Sequence, residues 1–294
     1  MSLHIYGRLH EVIEETRIIS IRVGRNIQYF YLAKGMFTTF MPYFVAGTYA
    51  FITVSDEKRL FHGFGVRTIE SIEKLMYPNG QTPKVYYDVT LIKSSIRRLV
   101  NTDKTLLFLD LEMSMPPFRQ YQNFVSEIIQ YGICITESQG KVLETFTSFV
   151  KPTLTPSLSD RTLKFLKIKQ SDVESGISFR EFHQLVLRLL RTYRPMVVVW
   201  GQNDVIELKN ASRNNRLPDL ASGIQLVDLL KLQKNYFGLK NDLGLFNALA
   251  AYESREAEKQ IHDAMEDAFV TNQVFHFFKA YCNGTRDVDV SQFK

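Results

Sequence analysis

The stretch Leu106-Leu107-Phe108-Leu109-Asp110-Leu111-Glu112-Met113-Ser114-Met115-Pro116 decides the fold of this chain. Leu106 to Leu109 form an unbroken apolar run of the kind that fills a strand buried on both faces. It ends in two carboxylates one residue apart. Side chains alternate along a strand, so Asp110 and Glu112 project to one side, where both can reach one ion. Without a cation, such a buried pair would repel itself and stay partly protonated. Asp-x-Glu also arises often by chance, and the alternative is two ordinary polar residues at a strand end. Residues further along decide between the two.

Towards the C-terminus, strand and helix patterns alternate. After a proline-rich insertion, Glu127 to Ile135 and Val142 to Val150 read as antiparallel neighbours joined by a turn at Gln139-Gly140. Ser178-Phe179-Arg180-Glu181 is a capping box; Phe182, Leu185, Val186, Leu189 and Leu190 share one face of the helix it opens, which Pro195 closes. Met196 to Trp200 is another buried strand, with Asp204 at its C-terminal end, the edge where open α/β sheets take ligands. Helical patterns over 204–216, 226–236, 242–251 and 263–281 complete the domain, and the polar tail 283–294 is expected to be loosely held.

His262-Asp263-Ala264-Met265-Glu266-Asp267-Ala268 stands where the last helix begins. Five residues turn about 140° on a helix, so His262 and Asp267 converge only if His262 lies before or at the first turn. Ala264 and Ala268 let this helix approach the sheet closely, which favours Asp267 facing the site. The alternatives are a surface histidine and a solvated aspartate, with Glu266 competing for the place of Asp267.

Towards the N-terminus the pattern is mostly short strands. Ile19, Ile21 and Val23 alternate before a turn at Gly24-Arg25-Asn26; Ile27 to Leu32 follows at hairpin distance, and Tyr49 to Val54 and Phe61 to Ile72 read as further strands. Lys34 to Val45 reads as a short helix or a loop. Four or five short strands suggest a small β-barrel such as the OB-fold, with an SH3-like barrel or an α+β module as alternatives. The expected organisation is a β-rich domain over 1–100, an α/β domain over 101–282 and the tail.

The 294 residues and 45% hydrophobic content suffice for two ordinary cores. Cys134 and Cys282 are too few for a disulfide framework, and no stretch has the length of a membrane helix or signal sequence, so a reducing cytoplasm is the expected setting. The formal charge of +5 is localised: residues 1–100 hold 13 Lys/Arg against 8 Asp/Glu, and residues 101–294 hold 23 of each. The first hundred residues also hold 15 of the 37 aromatics. Basic charge interleaved with aromatic faces suits single-stranded nucleic acid; the alternative is a β-rich domain whose aromatics fill its own core.

Asp110-Leu111-Glu112, then Asp204, then His262 with Asp267 in a His-x-Ala-x-x-Asp-Ala setting resemble, in order, the motifs of the DnaQ-like (DEDDh) 3′-to-5′ exonucleases. The match is closer still to the KapD-like branch, related to exonucleases that trim histone mRNA and small interfering RNA. That branch looks like Asp-x-Glu-x-(Thr/Ser)-Met-Pro, a spacer with Arg and Phe, then Glu-Ile-Ile; here these are Asp110 to Pro116, Arg119, Phe124 and Glu127-Ile128-Ile129, and its Trp-Gly-x-x-Asp is Trp200 to Asp204. The resemblance covers residues 105–282 and implies an RNase H-like fold, a mixed sheet flanked by helices. The first hundred residues lie outside it.

The resemblance implies a 3′-5′ exonuclease hydrolysing phosphodiester bonds from single-stranded 3′ ends, RNA favoured over DNA. The competing readings are a DNA proofreading or repair exonuclease and a non-catalytic adaptor that uses the same fold. It further implies two ions, Mg²⁺ or Mn²⁺: Asp110, Glu112 and Asp267 on one, Asp110 bridging to the second, Asp204 bound through water, and His262 as general base. Met113 and Asn203 depart from the usual threonine and aromatic or methionine of relatives and are candidates, with Arg119 and Phe124, for holding the terminal nucleotide. Trp200 is expected in the core, with base stacking as the alternative, Glu127 at a strand start rather than on a metal, His183 and His276 as structural residues, and Cys134 as a buried thiol.

Overall fold

The computed structural model describes residues 2–45, 47–78, 83–118, 124–258 and 260–293. The chain divides into two compact units, Met1–Ser95 and Ile96–Lys294.

The first unit contains β1 (Ser2–Ile13), β2 (Ile18–Val23), β3 (Asn26–Tyr31), α1 (Lys34–Phe40), β4 (Tyr49–Phe61), β5 (Phe64–Tyr77) and β6 (Lys84–Tyr87). The strands run in the order β3-β2-β1-β4-β5-β6, and a parallel pairing of β3 with β5, Tyr29 opposite Val66 and Tyr31 opposite Thr68, closes the first five into an OB-like barrel. Closure removes the free edges that an open sheet of this size would leave. Ile19, Ile21, Phe30, Leu32, Ile52, Val54, Ile69, Ile72 and Leu75 fill its core. The strand read over 49–54 continues to Phe61, because the register shifts at Phe51/Ile52, Thr53/Val54 and Val54/Lys58 interrupt its ladder with β5 without ending it. Lys34–Phe40 is helical, followed by a 3-10 turn at Met41–Tyr43.

A helix, α2 (Val89–Val100), crosses the division. The second unit continues with β7 (Leu106–Met113), β8 (Ile128–Thr136), β9 (Val142–Lys151), α3 (Asp160–Leu166), α4 (Gln170–Glu174), β10 (Ile177–Ser178), α5 (Phe179–Tyr193), β11 (Met196–Val199), α6 (Asn203–Asn214), β12 (Gln225–Asp228), α7 (Leu229–Phe237), α8 (Leu245–Glu253) and α9 (Ala264–Cys282). Its sheet runs β10-β9-β8-β7-β11-β12, antiparallel across β9-β8-β7 and parallel across β7-β11-β12. This is the mixed, helix-flanked sheet of an RNase H-like domain.

Strand β7 is central and covered on both faces. Leu107, Leu109 and Leu111 join Phe182 and Val186 of α5 in one core. Phe108 turns the other way and meets Phe275 of α9 edge-on, ring centroids 5.7 Å apart. By the two-residue period of a strand, Asp110 and Glu112 share the face of Phe108 and α9.

Two expectations are corrected. The helix read over 226–236 begins as strand β12, in parallel register with β11, and Asp228 then caps α7 by accepting the Lys231 N–H. Leu226, Leu229 and Leu230 mimic helical spacing across that junction. The tail is also anchored: Val290–Phe293 forms a 3-10 turn whose Phe293 is buried, stacked on Phe237 at 4.7 Å and edge-on to Tyr252 at 5.2 Å. One aromatic side chain in a polar stretch suffices to dock it. Among the described residues no helix is long and apolar enough to cross a membrane.

Candidate active site

Four carboxylates arrive at the C-terminal end of β7 from three places. Asp110 and Glu112 come from the strand, opposite Gly132 and Gln130 of β8. Asp204 comes from the first turn of α6; Gly201, at φ +92°, takes the backbone conformation that makes the turn out of β11. Its Oδ1 accepts the Leu111 N–H at 3.1 Å, which ties α6 to β7 between the other two carboxylates. Asp267 comes from the first turn of α9 and is 2% exposed.

Helix α9 is seated by close backbone contact and a cap. A side chain at position 132 would collide with the carbonyl oxygen of Ala264, so Gly132 lets the first turn of α9 lie directly on β8. Ala264 and Ala268 are fully buried. Asp263 caps the helix, its Oδ1 accepting the Met265 and Glu266 N–H groups at 3.1 and 3.0 Å, while its Oδ2 accepts Nε2–H of Gln130 at 2.7 Å. His262 lies just ahead of that cap at φ +62°, a left-handed conformation that costs a non-glycine residue energy and that the surrounding contacts must maintain. One ligand atom from each of Glu112, His262 and Asp267 lies within 4.8 Å of the other two. Asp110 is not part of that triple; Asp204 is the charge that acts on it most strongly.

The electrostatics are those of charge concentrated in a dry place. Burial first, then the neighbouring carboxylates, raises Asp110 well above the usual range and pushes Glu112 up to about 8. Burial raises Asp204 to about 7, against the lowering effect of the Leu111 N–H. Burial raises Asp267 to about 6, opposed by the amide of Gln260, which donates to its Oδ2. The other oxygen, Oδ1, is buried with no hydrogen-bond partner. An orphaned carboxylate oxygen in a cluster with three more carboxylates, none of the four in an ion pair among the described residues, fits a place for divalent cations. Burial lowers His262 from the ordinary histidine value.

The remaining expected residues are scattered. Met113 leans partly into the core beside Leu111. Asn203 is exposed and lines, with Trp200, Lys231 and Lys234, a cleft of about 670 Å³ next to the turn that carries Asp204. Trp200 is half-buried. Phe124 is half-buried ahead of β8, and Arg119 lies outside the described residues. Glu127 is buried and engaged elsewhere, accepting N–H groups of Thr153, Leu154 and Thr155. His183 donates from Nε2 to the Pro218 carbonyl at 2.8 Å; His276 is held near 4 by burial and Lys279; Cys134 is buried.

Sequence reasoning missed Gln130, Gln260 and Phe165. Phe165 of α3 stacks on His262 with centroids 4.3 Å apart. Ser159 and Thr162 of α3 hold the backbone of Met115, just past the carboxylate strand, so α3 is fixed relative to β7. No spacing rule links these residues. The one available signal was Asp263, an N-cap residue directly before a helical pattern.

Fold and site together define a DEDDh-type nuclease domain. The exonuclease family (RNase T) matches residues 107–275, and the chain belongs to that family as a 3′-5′ exonuclease. A curated relative, "Probable 3'-5' exonuclease KapD" of Bacillus subtilis (strain 168), is 33% identical over 175 residues, 59% of this chain and 84% of the relative. The nuclease domain of 3'hExo, described as a DEDDh family member bound to rAMP, superposes with TM-score 0.54 at 16% identity, covering 63% of this chain and 96% of that one. A 3'-exonuclease described in 3'-end specific recognition of a histone mRNA stem-loop superposes with TM-score 0.54 at 17% identity, over 62% of this chain and 84% of that one. These two likenesses show the fold. Membership of the family implies divalent metal ions.

Proposed function

We propose that the protein removes nucleotides from single-stranded 3′ ends, RNA in preference to DNA, with two Mg²⁺ or Mn²⁺ ions held by Asp110, Glu112, Asp204 and Asp267. The observation that carries this reading is the orphaned Asp267 Oδ1 within a cluster of four carboxylates, three buried and Asp110 half-buried, beside a histidine within 4.8 Å of two of them. When bound, the ions neutralise the scissile phosphate, make water acidic enough to attack and stabilise the leaving 3′ oxygen. His262 takes the proton of the attacking water, and burial keeps its imidazole neutral and ready to do so. Phe165 and the strained backbone fix that ring. The Leu111 N–H orients Asp204, and the Gln130–Asp263 bond fixes the turn that carries both His262 and Asp267.

Asn203 and Trp200 border the site on the α6 side, and Phe165, 47% exposed, on the α3 side; these are the surfaces we assign to the terminal nucleotide. The preference for RNA rests on the KapD-like arrangement of Asp110 to Pro116 and Trp200 to Asp204. We assign strand binding to the basic, aromatic barrel. The test is digestion of matched, end-labelled single-stranded RNA and DNA with Mg²⁺ or Mn²⁺. Faster loss of RNA from its 3′ end supports the reading, faster loss of DNA favours repair or proofreading, and no loss of either leaves a binding role.

A further inference from the structure

One surface of the barrel carries four aromatic rings that its core does not use. Tyr29 and Tyr31 flank Phe30 on β3; Phe30 is fully buried in the core, and the two tyrosines point outward. The parallel pairing of β3 with β5 brings them beside the hairpin end where Phe61 pairs with Phe64. Tyr29 meets Phe64, and Tyr31 meets Phe61, each with centroids 4.8 Å apart. All four rings are half-exposed.

Two guanidinium groups complete the ledge. Arg59 lies 5.1 Å from the ring centre of Tyr31 and 5.4 Å from that of Phe61; Arg17 lies 5.5 Å from Tyr31 and donates to its hydroxyl at 3.1 Å. Neither is in an ion pair among the described residues. Planar rings and planar cations alternate on one surface, so bases have faces to stack on and phosphates have unpaired charge to meet. An acidic peptide would use the cations but leave the rings uncovered.

A second aromatic patch argues the choice by contrast. Tyr6 and Phe51 stack at 6.0 Å beneath Lys74, but they share their face with Glu73, bonded to His4 and Thr53, and with Glu70, bonded to Ser2. That patch is electrostatically balanced. The ledge is not.

We infer that Arg17, Tyr29, Tyr31, Arg59, Phe61 and Phe64 form a subsite for single-stranded nucleic acid, taking a few nucleotides of the strand whose 3′ end is cleaved. This rests on the reading of the chain as a single-strand nuclease with a strand-binding barrel.

The test uses the full-length protein in chelator, so that nothing is cleaved, and labelled single strands of about 20 nucleotides, RNA and DNA, in anisotropy titrations across salt. Arg17→Ala with Arg59→Ala should weaken binding about tenfold and flatten the slope of log affinity against log salt by about 1.4, or 0.7 per lost phosphate contact. Tyr31→Leu with Phe61→Leu keeps apolar bulk, and should weaken binding about tenfold while leaving the slope alone. Both double variants should melt as wild type does and cleave a trinucleotide normally with metal. Wild-type affinity and slope in the ledge variants overturn the assignment. If Tyr6→Leu with Lys74→Ala loses affinity instead, the barrel still binds strands, elsewhere. If neither face matters, strand binding by the barrel falls as well, while the digestion assay decides the nuclease reading by itself.

Discussion

The phenyl ring of Phe165 lies against the imidazole of His262, with centroids 4.3 Å apart and planes 32° from parallel. This contact both orients the ring and removes it from water. Phe165→Ala should lower kcat about tenfold with a smaller change in KM, and Phe165→Tyr should restore it. Desolvation is what lowers His262, so exposing the ring should raise its pKa and move the acidic limb of the kcat/KM profile to higher pH. A raised KM with unchanged kcat would mean that Phe165 serves the terminal nucleotide alone and does not position the histidine.

His262→Ala should slow cleavage by about 10²–10⁴-fold, the usual effect of a lost general base, with partial recovery at high pH where hydroxide is abundant. Metal binding, followed by calorimetry, should survive. A variant as fast as wild type at neutral pH would place the base elsewhere.

Asp110→Ala and Asp267→Ala should each abolish cleavage, yet in chelator at alkaline pH neither should melt below wild type. Each removes charge from a repulsive cluster rather than volume from a core. Turnover within a few-fold of wild type in either would overturn their assignment as ligands.

Stability without metal should fall as pH rises. Glu112, Asp204 and Asp267 have folded values of about 8, 7 and 6, all raised above the unfolded 4.5, 3.8 and 3.8. A raised folded pKa contributes stability that is complete below the unfolded value and is lost as pH climbs through the folded one. In chelator, Tm should therefore drop by about 5 °C or more between roughly pH 5 and 8, and saturating Mg²⁺ or Mn²⁺ should shrink the drop. A melting temperature flat across that interval in chelator would contradict the cluster's electrostatics.

Gln130→Ala should cost a few degrees of Tm together with several-fold in kcat, because the amide that holds the Asp263 cap is lost and the turn carrying His262 is freed. Loss of Tm with kcat intact would show a purely structural bond.

The parts that could be read in advance were those with a period or a local rule. The apolar run into Asp110 and Glu112 announced a central strand, and Ser178 with Glu181 announced α5, because each pattern is complete within a few residues. A small barrel could be read from the run of short strands, but not the pairing that closes it, since β3 and β5 join residues 37 positions apart, from Tyr29 to Val66. Nor was the setting of His262 and Asp267 legible: Phe165 meets His262, Gln130 holds Asp263 and Gln260 donates to Asp267, from two other elements and a loop, by contacts with no sequence period. The docking of Phe293 was hidden for the opposite reason, one apolar residue in a polar tail being too little to form a pattern.

Gly132 has no chemistry of its own, yet α9 rests on β8 only because position 132 carries no side chain. A single added methyl would lift the helix start away from the sheet and carry Asp267 and His262 away from Asp110 and Glu112. In a random-mutagenesis screen for lost cleavage, position 132 should therefore behave like a catalytic residue, intolerant even of alanine. A reader of such a map would look there for a reacting group and find only the space that the active site needs in order to close.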